Sequence, residues 1–178
     1  MSPLAMPRSA RGTLVEIFSI QNRWVRLSEI CNHIIAKVDR RGVGCLTAVE
    51  RTIDRVNDFE YRMIQGGLSG LLYADWLDWA AIREVAAALE AVGARDAGRL
   101  VNEMVAYVID ALERQPVLGT RDDLGWGDLL AQVDPTRTLD RIERELGPHV
   151  DSLNRYLLEY VEAHQVDLLR ADEAGASR

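Results

Sequence analysis

Glu60 is the residue most suited to chemistry, because its carboxylate lies on an apolar helix face shortly before a Gly-Gly pair. It belongs to the stretch FEYRMIQGGLSG, residues 59–70. A carboxylate in such a place could act as a general base or as a metal ligand. Burying it without a partner is costly, so a purely structural Glu60 would need hydrogen-bond donors. No second acid or histidine adjoins it in sequence on that face, which favours the structural interpretation.

The glycine pair, Gly66 and Gly67, offers a candidate source of those donors. We predict that Glu60 braces a break in the helix from inside. Its carboxylate would accept from the backbone amides of the glycine turn, from the Ser69 hydroxyl or from an arginine of another helix. One of the two glycines is then expected to adopt a positive φ, which glycine does at no steric cost.

Other catalytic and metal-binding patterns are missing from the sequence. There is no phosphate-binding glycine-rich loop with a lysine, no dinucleotide-binding fingerprint and no nucleophile elbow. Cys31 and His33 form a Cys-x-His pair, but together with Cys45 they would still lack a fourth zinc ligand. We therefore expect no catalytic residue, no metal and no cofactor, and a protein that is not an enzyme.

The distribution of charge favours a basic partner. Residues 1–45 carry seven basic and three acidic side chains, whereas residues 46–178 carry a net charge of −11 within a total of −7. Affinity for nucleic acid comes largely from Lys and Arg that neutralise phosphates, so direct binding of nucleic acid is not expected. An acidic surface would speed the encounter with a basic protein, although an acidic excess can also serve only to keep a protein in solution. The candidate partner-binding residues are Glu50, Asp54, Asp58, Asp110, Glu143 and Glu145.

Three features predict a cytoplasmic protein that does not contact a membrane. No apolar run approaches the roughly 20 residues that span a bilayer. The N-terminal residues lack the continuous apolar segment of a secretion signal. The two cysteines, in a chain without such a signal, are typical of reduced thiols.

The hydrophobic periodicity is helical nearly throughout and predicts an all-α single domain, an irregular bundle of about six or seven helices. We expect a flexible arm at 1–12, a helical domain at 13–172 and a frayed tail at 173–178. Thr47 and Glu50 have the spacing of a capping box at the start of the second helix. Gly93 lies where a helix ends with a positive φ, which predicts an antiparallel helical hairpin.

Three segments carry a resemblance to a known family. FEYRMIQGGLSGLLYA, ALEAVGA and LNRYLLEYVEAH together resemble the all-helical domain-of-unknown-function family that includes a bacterial DNA-mimic protein, over residues 46–169. Gln65, Leu68, Gly70 and Ala74 depart from the family pattern. The positions that match the family pattern are Phe59, Glu60, Gly66, Gly67, Leu89, Gly93 and Ala94.

The resemblance implies a helical fold and, for one branch of the family, binding to a DNA-binding protein through an acidic surface that resembles duplex phosphates. Two function classes follow. The first is an acidic protein-binding domain that sequesters a basic or DNA-binding protein, with an immunity or antitoxin role as a variant. The second is an enzyme or small-molecule binder that uses Glu60 near the Gly66-Gly67 break. Neither the oligomeric state nor the identity of a partner follows from these residues.

Overall fold

The computed structural model describes residues 12–74, 78–114, 131–134 and 136–176, and these residues form helices joined by short turns, without a β-strand. The predicted all-α class is confirmed. The predicted arm and the tip of the tail fall largely on residues outside these ranges. The helices are α1 (Leu14–Phe18), α2 (Arg23–Arg41), α3 (Ala48–Ala74), α4 (Trp79–Ala91), α5 (Arg95–Arg114), α6 (Thr138–Val150), α7 (Leu153–Ala163) and α8 (Gln165–Ala176), with a 3-10 turn at Val43–Cys45.

The chain divides into two compact units. The first comprises Met1–Asn57 and Arg155–Arg178, and the second comprises Asp58–Asn154. The boundaries between them fall within α3 and within α7. Among the described residues, no helix is both long enough and apolar enough to cross a membrane.

The first unit is built around α2. Asn22 caps this helix by accepting from the amides of Trp24 and Val25, and α1 packs against both α2 and α8. Buried aliphatic side chains fill the contacts, among them Leu14, Ile17, Leu27, Ile30 and Ile34.

The capping box at the start of α3 is confirmed. The amide of Thr47 donates to Glu50 Oε2 at 2.8 Å, and the amide of Glu50 donates to Thr47 Oγ1 at 3.3 Å. Two of the amides that have no partner within the helix are thereby satisfied.

The second unit contains the predicted helical hairpin, α4 and α5. Gly93 has a φ of 94°. The amide of Ala94 donates to the carbonyl of Leu89, and the amide of Gly93 donates to the carbonyl of Glu90. This is the Schellman arrangement, which satisfies the last carbonyls of α4. Within the hairpin, Gly98 allows a close approach of the helices, because a Cβ there would lie 2.9 Å from the carbonyl oxygen of Ala86.

The structure differs from the sequence pattern in two helical segments. Asp134 followed by Pro135 predicts the start of a short helix, and Gly147-Pro148 predicts its end. The helix begins instead at Thr138 and continues through Pro148 to Val150. A proline near a helix end removes a single hydrogen bond, which the final turn tolerates. The periodicity predicts one last helix from about Val150 to Ala171, whereas the structure divides this segment at His164 into α7 and α8.

Candidate protein-binding surface

The glycine pair marks a kink inside α3. Gly67 has φ 59° and ψ −152°, whereas the rest of α3 is helical. This combination is accessible essentially to glycine alone. The prediction that one member of the pair takes a positive φ is confirmed, and Gly67 is that residue. A Cβ at this position would also overlap the carboxylate of Glu143 on α6.

Glu60 is half-buried and has a different partner from those expected. The side-chain amide of Asn154, at the start of α7, donates to Glu60 Oε1. The glycine amides, the Ser69 hydroxyl and an arginine were the predicted donors, and that prediction is wrong. Loss of hydration raises the pKa of Glu60 above its ordinary value, because a partly buried site disfavours the charged form.

A cavity of about 400 Å³ lies directly after the kink. Leu68, Ser69 and Leu72 of α3 form one side of it, and residues at the start of α6 form the other. Glu60 is not among the residues that line it. This cavity is therefore not the pocket with Glu60 at its floor that the enzyme hypothesis requires.

Glu50 is not a surface residue, which corrects its assignment to the partner-binding set. Its side chain is 1% exposed and its carboxylate binds Lys37 Nζ at 2.6 Å. It belongs, with the half-buried Asp54, to the first unit. The cause is the capping box, which turns the carboxylate of Glu50 back toward the start of α3 and toward α2.

Three of the four other predicted acids are exposed or half-exposed but already paired within their own helix. Asp58 binds Arg62 at 2.8 Å, Asp110 binds Arg114, and Glu145 binds Arg141 at 2.9 Å. Each pair spans one helical turn, and such exposed pairs are weak. Of these four predicted acids, Glu143 alone has no ionic partner among the described residues of the second unit, and it is exposed.

Sequence reasoning missed several exposed acids of the second unit that also have no ionic partner among the described residues. Some of these acids could have been recognised from the sequence. Glu90, Glu113 and Glu143 have no arginine or lysine three or four residues away, so no ion pair within the same helix can form. The exposed acids without a partner are Glu90, Asp96, Glu113, Glu143 and Asp151.

The two units differ in formal charge. Residues 58–154 contain eighteen acidic side chains and nine arginines, a net charge of −9, and the remaining residues of the chain sum to +2. The acidic excess is thus concentrated in the second unit. Among the described residues, no group of three or more His, Cys, Asp and Glu side chains could hold a metal ion.

The fold and these side chains define an all-helical protein with an acidic second unit organised around a kinked helix. The family model for DMP19-like protein matches residues 44–164, more than half of the chain, and the chain belongs to this family. The resemblance inferred from the sequence is confirmed, and the matched range includes the whole motif of Phe59, Glu60, Gly66, Gly67, Gly93 and Ala94. No curated protein and no solved structure matches the chain.

Proposed function

We propose that this protein is a non-enzymatic binding domain whose acidic second unit binds the basic surface of a DNA-binding protein. The observation that carries the proposal is the net charge of −9 of residues 58–154, together with exposed carboxylates that have no arginine partner among the residues the structure describes. Membership of the DMP19-like family supports it, since for one branch of that family the resemblance implies an acidic surface that stands in for duplex phosphates.

The electrostatics favour such a partner in two ways. A surface of one sign raises the rate of encounter with a surface of the other sign. A protein that binds DNA presents Lys and Arg to phosphates, so unpaired carboxylates can occupy the same basic groups. Residues such as Glu90 and Glu113 offer their full charge to a partner, whereas Asp110 shares its charge with Arg114.

Binding is favoured over catalysis by Glu60 itself. Its carboxylate accepts a hydrogen bond from Asn154 and lies outside the lining of the cavity. A general base has to reach its substrate, so this position of Glu60 supports binding over the enzyme hypothesis that depends on it. An immunity or antitoxin protein would use the same acidic surface, and the identity of the bound protein distinguishes it from a DNA mimic.

Competition with duplex DNA tests the proposal. The immobilised chain is exposed to DNA-binding proteins that have been enriched from the native extract on a phosphate-bearing resin. The bound protein is then eluted with duplex DNA or with salt. We expect elution by both, because DNA and this chain would occupy one basic surface and because salt screens exposed charges. Capture that duplex DNA does not reverse would contradict the proposal.

A pair of double variants locates the surface. Glu90→Gln with Glu113→Gln removes two unpaired charges from the second unit. Glu159→Gln with Asp167→Asn makes the same change of net charge in the first unit. We expect the first variant to weaken binding of the captured protein about tenfold more than the second, because contact charges matter more than distant ones. Equal losses would mean that only the total charge of the chain matters.

A further inference from the structure

The cavity beside Gly67 has a polar lining that consists of one basic residue, three acids and a serine. These residues lie near the start of α6 and just after the kink of α3, all within the second unit. A volume of about 400 Å³ is in the range of pockets that hold a small ligand or a large side chain. The polar residues of the lining are Asp134, Arg137, Asp140, Glu143 and Ser69.

Asp134 is engaged by the protein itself, because it holds the start of α6. Its Oδ1 accepts from the hydroxyl of Tyr107 at 2.8 Å and from the amide of Thr138 at 2.7 Å. Its Oδ2 accepts from the amide of Leu139 at 2.7 Å. The carboxylate therefore caps the helix and fixes one wall of the cavity.

Asp140 is paired with Arg137 at the rim of the cavity. Arg137 Nε lies 2.9 Å from Asp140 Oδ2, and the side chain of Arg137 is 82% exposed. The single basic side chain in the lining is therefore bound to Asp140 and leaves Glu143 without a cation.

Glu143 and Ser69 are the two polar groups of the lining that are still available. Neither has a hydrogen-bond or ionic partner among the described residues. The absence of a side chain at Gly67 gives the carboxylate of Glu143 its position over α3. The cavity therefore combines the negative charge of Glu143, the hydroxyl of Ser69 and apolar walls. Those walls are formed by Leu68, Leu72 and Leu139.

From this combination we propose that the cavity binds the guanidinium group of an arginine side chain that the partner protein inserts. The guanidinium donates to the carboxylate of Glu143 and to the Ser69 hydroxyl, while the methylene stem packs against the leucines. Arginine suits the site better than lysine because its planar head is weakly hydrated and binds a carboxylate through two hydrogen bonds. The site rests on the proposed function and adds to it a specific contact of the acidic surface.

Nuclear magnetic resonance of the full chain tests the site without any partner protein. The probes are blocked arginine, blocked citrulline, which has the same shape without the charge, and blocked lysine. We expect arginine to shift the amide resonances of Leu68 and Ser69 in a saturable manner, with lysine weaker and citrulline ineffective. Identical responses to arginine and citrulline would overturn the site.

A matched pair of variants on α6 gives the control. Glu143→Gln removes the charge at the cavity and keeps the shape of the side chain. Glu145→Gln removes the same charge two residues away, outside the lining. We expect Glu143→Gln to lower the affinity for blocked arginine at least tenfold, since the bond to a charged group is lost, and Glu145→Gln to change it less than twofold. Similar losses of affinity in both variants would show that blocked arginine is attracted only by the overall negative charge of the surface, which would overturn the site.

The same variants separate this inference from the proposed function. If captured DNA-binding proteins bind wild type and Glu143→Gln equally well, the arginine site is wrong and the acidic binding surface stands. If blocked arginine binds in the cavity while no DNA-binding protein is captured, a free guanidinium compound is the occupant. That result overturns insertion by a protein partner, and the proposed function falls with it.

Discussion

In the first unit, carboxylates from three different helices each bind a basic side chain of α2, whereas the predicted surface acids of the second unit mostly bind arginines of their own helix. Glu50 binds Lys37, Glu162 binds both Arg23 and Arg26 at 2.6 Å, and Asp172 lies 3.3 Å from His33. Each of these contacts joins α2 to another helix.

In the second unit, the pairs Asp58–Arg62 and Asp110–Arg114 span a single turn of one helix. Other carboxylates of this unit, such as Glu90 and Glu143, have no ionic partner among the described residues. The difference teaches that the acids that bind α2 hold the helices of the first unit together, while several acids of the second unit face outward. Among the ion pairs of the described residues, Glu103, which binds Arg141 of α6, joins two helices of the second unit. Net charge alone would not distinguish these two uses.

The largest expected effect comes from breaking the buried pair of the first unit. Replacement of Glu50 by Ala leaves Lys37 without its partner and removes half of the capping box. We expect a loss of about 3–5 kcal/mol in the free energy of unfolding, because an uncompensated buried charge is costly. Urea denaturation measures it.

Asp58→Ala is the matched control, since Asp58 also pairs with a basic residue but its side chain is 38% exposed. Its expected cost is below about 1 kcal/mol. A similar cost for both variants would remove the contrast between internal and outward acids.

The next effect concerns the kink in the second unit. Gly67→Ala forces a side chain into φ 59° and ψ −152°, which costs of order 1–3 kcal/mol. Gly66→Ala is the control, because Gly66 is helical and a Cβ there meets nothing within 4 Å. We expect this control to stabilise the helix by roughly 0.5–1 kcal/mol. Thermal denaturation measures both variants. A lower melting temperature for Gly67→Ala and a higher one for Gly66→Ala would sharpen the comparison, and a loss of stability in Gly66→Ala would contradict it.

The smallest effect is a contrast in pH dependence between one acid of each unit. The hydrogen bond from Arg23 lowers the pKa of Glu162, so its stabilising contribution is present above its unfolded-state pKa and is lost as the pH falls. Burial raises the pKa of Glu60, so stability from this group is full below its unfolded-state pKa and is lost as the pH rises through the folded-state value.

Glu162→Gln should therefore become less stable relative to wild type as the pH rises toward the ordinary glutamate pKa of about 4.3, and Glu60→Gln should become more stable relative to wild type as the pH rises above it. Denaturant unfolding at several pH values measures both differences. If the stability difference from wild type changes with pH in the same direction for both variants, the environment of one of the two carboxylates differs from the one described.

Much of the fold was predictable because its signals are local. The capping box of Thr47 and Glu50 and the helix end at Gly93 each involve residues within a few positions of one another. The positive φ at the glycine pair followed from the steric freedom of glycine. Such signals act before any tertiary contact forms, so the sequence displays them directly.

The candidate site was less predictable, because its contacts join distant residues. Asn154, which binds Glu60, is separated from it by 94 positions. The overlap between Gly67 and Glu143 depends on how α6 packs against α3. Helical periodicity assigns a residue to a face of its helix, but it does not say what faces it across the interface.

By itself, the sequence determined that this protein is helical, where several helices begin and end, that one glycine in α3 has a positive φ, and that the chain is acidic. Only the tertiary structure decided that Glu50 is buried against Lys37 and that Glu143 lies beside a cavity with no ionic partner in the described part of the chain. The physical reason is the range of the interactions. Backbone sterics and caps act over about one helical turn, while burial and the pairing of charges depend on which helices the fold brings together.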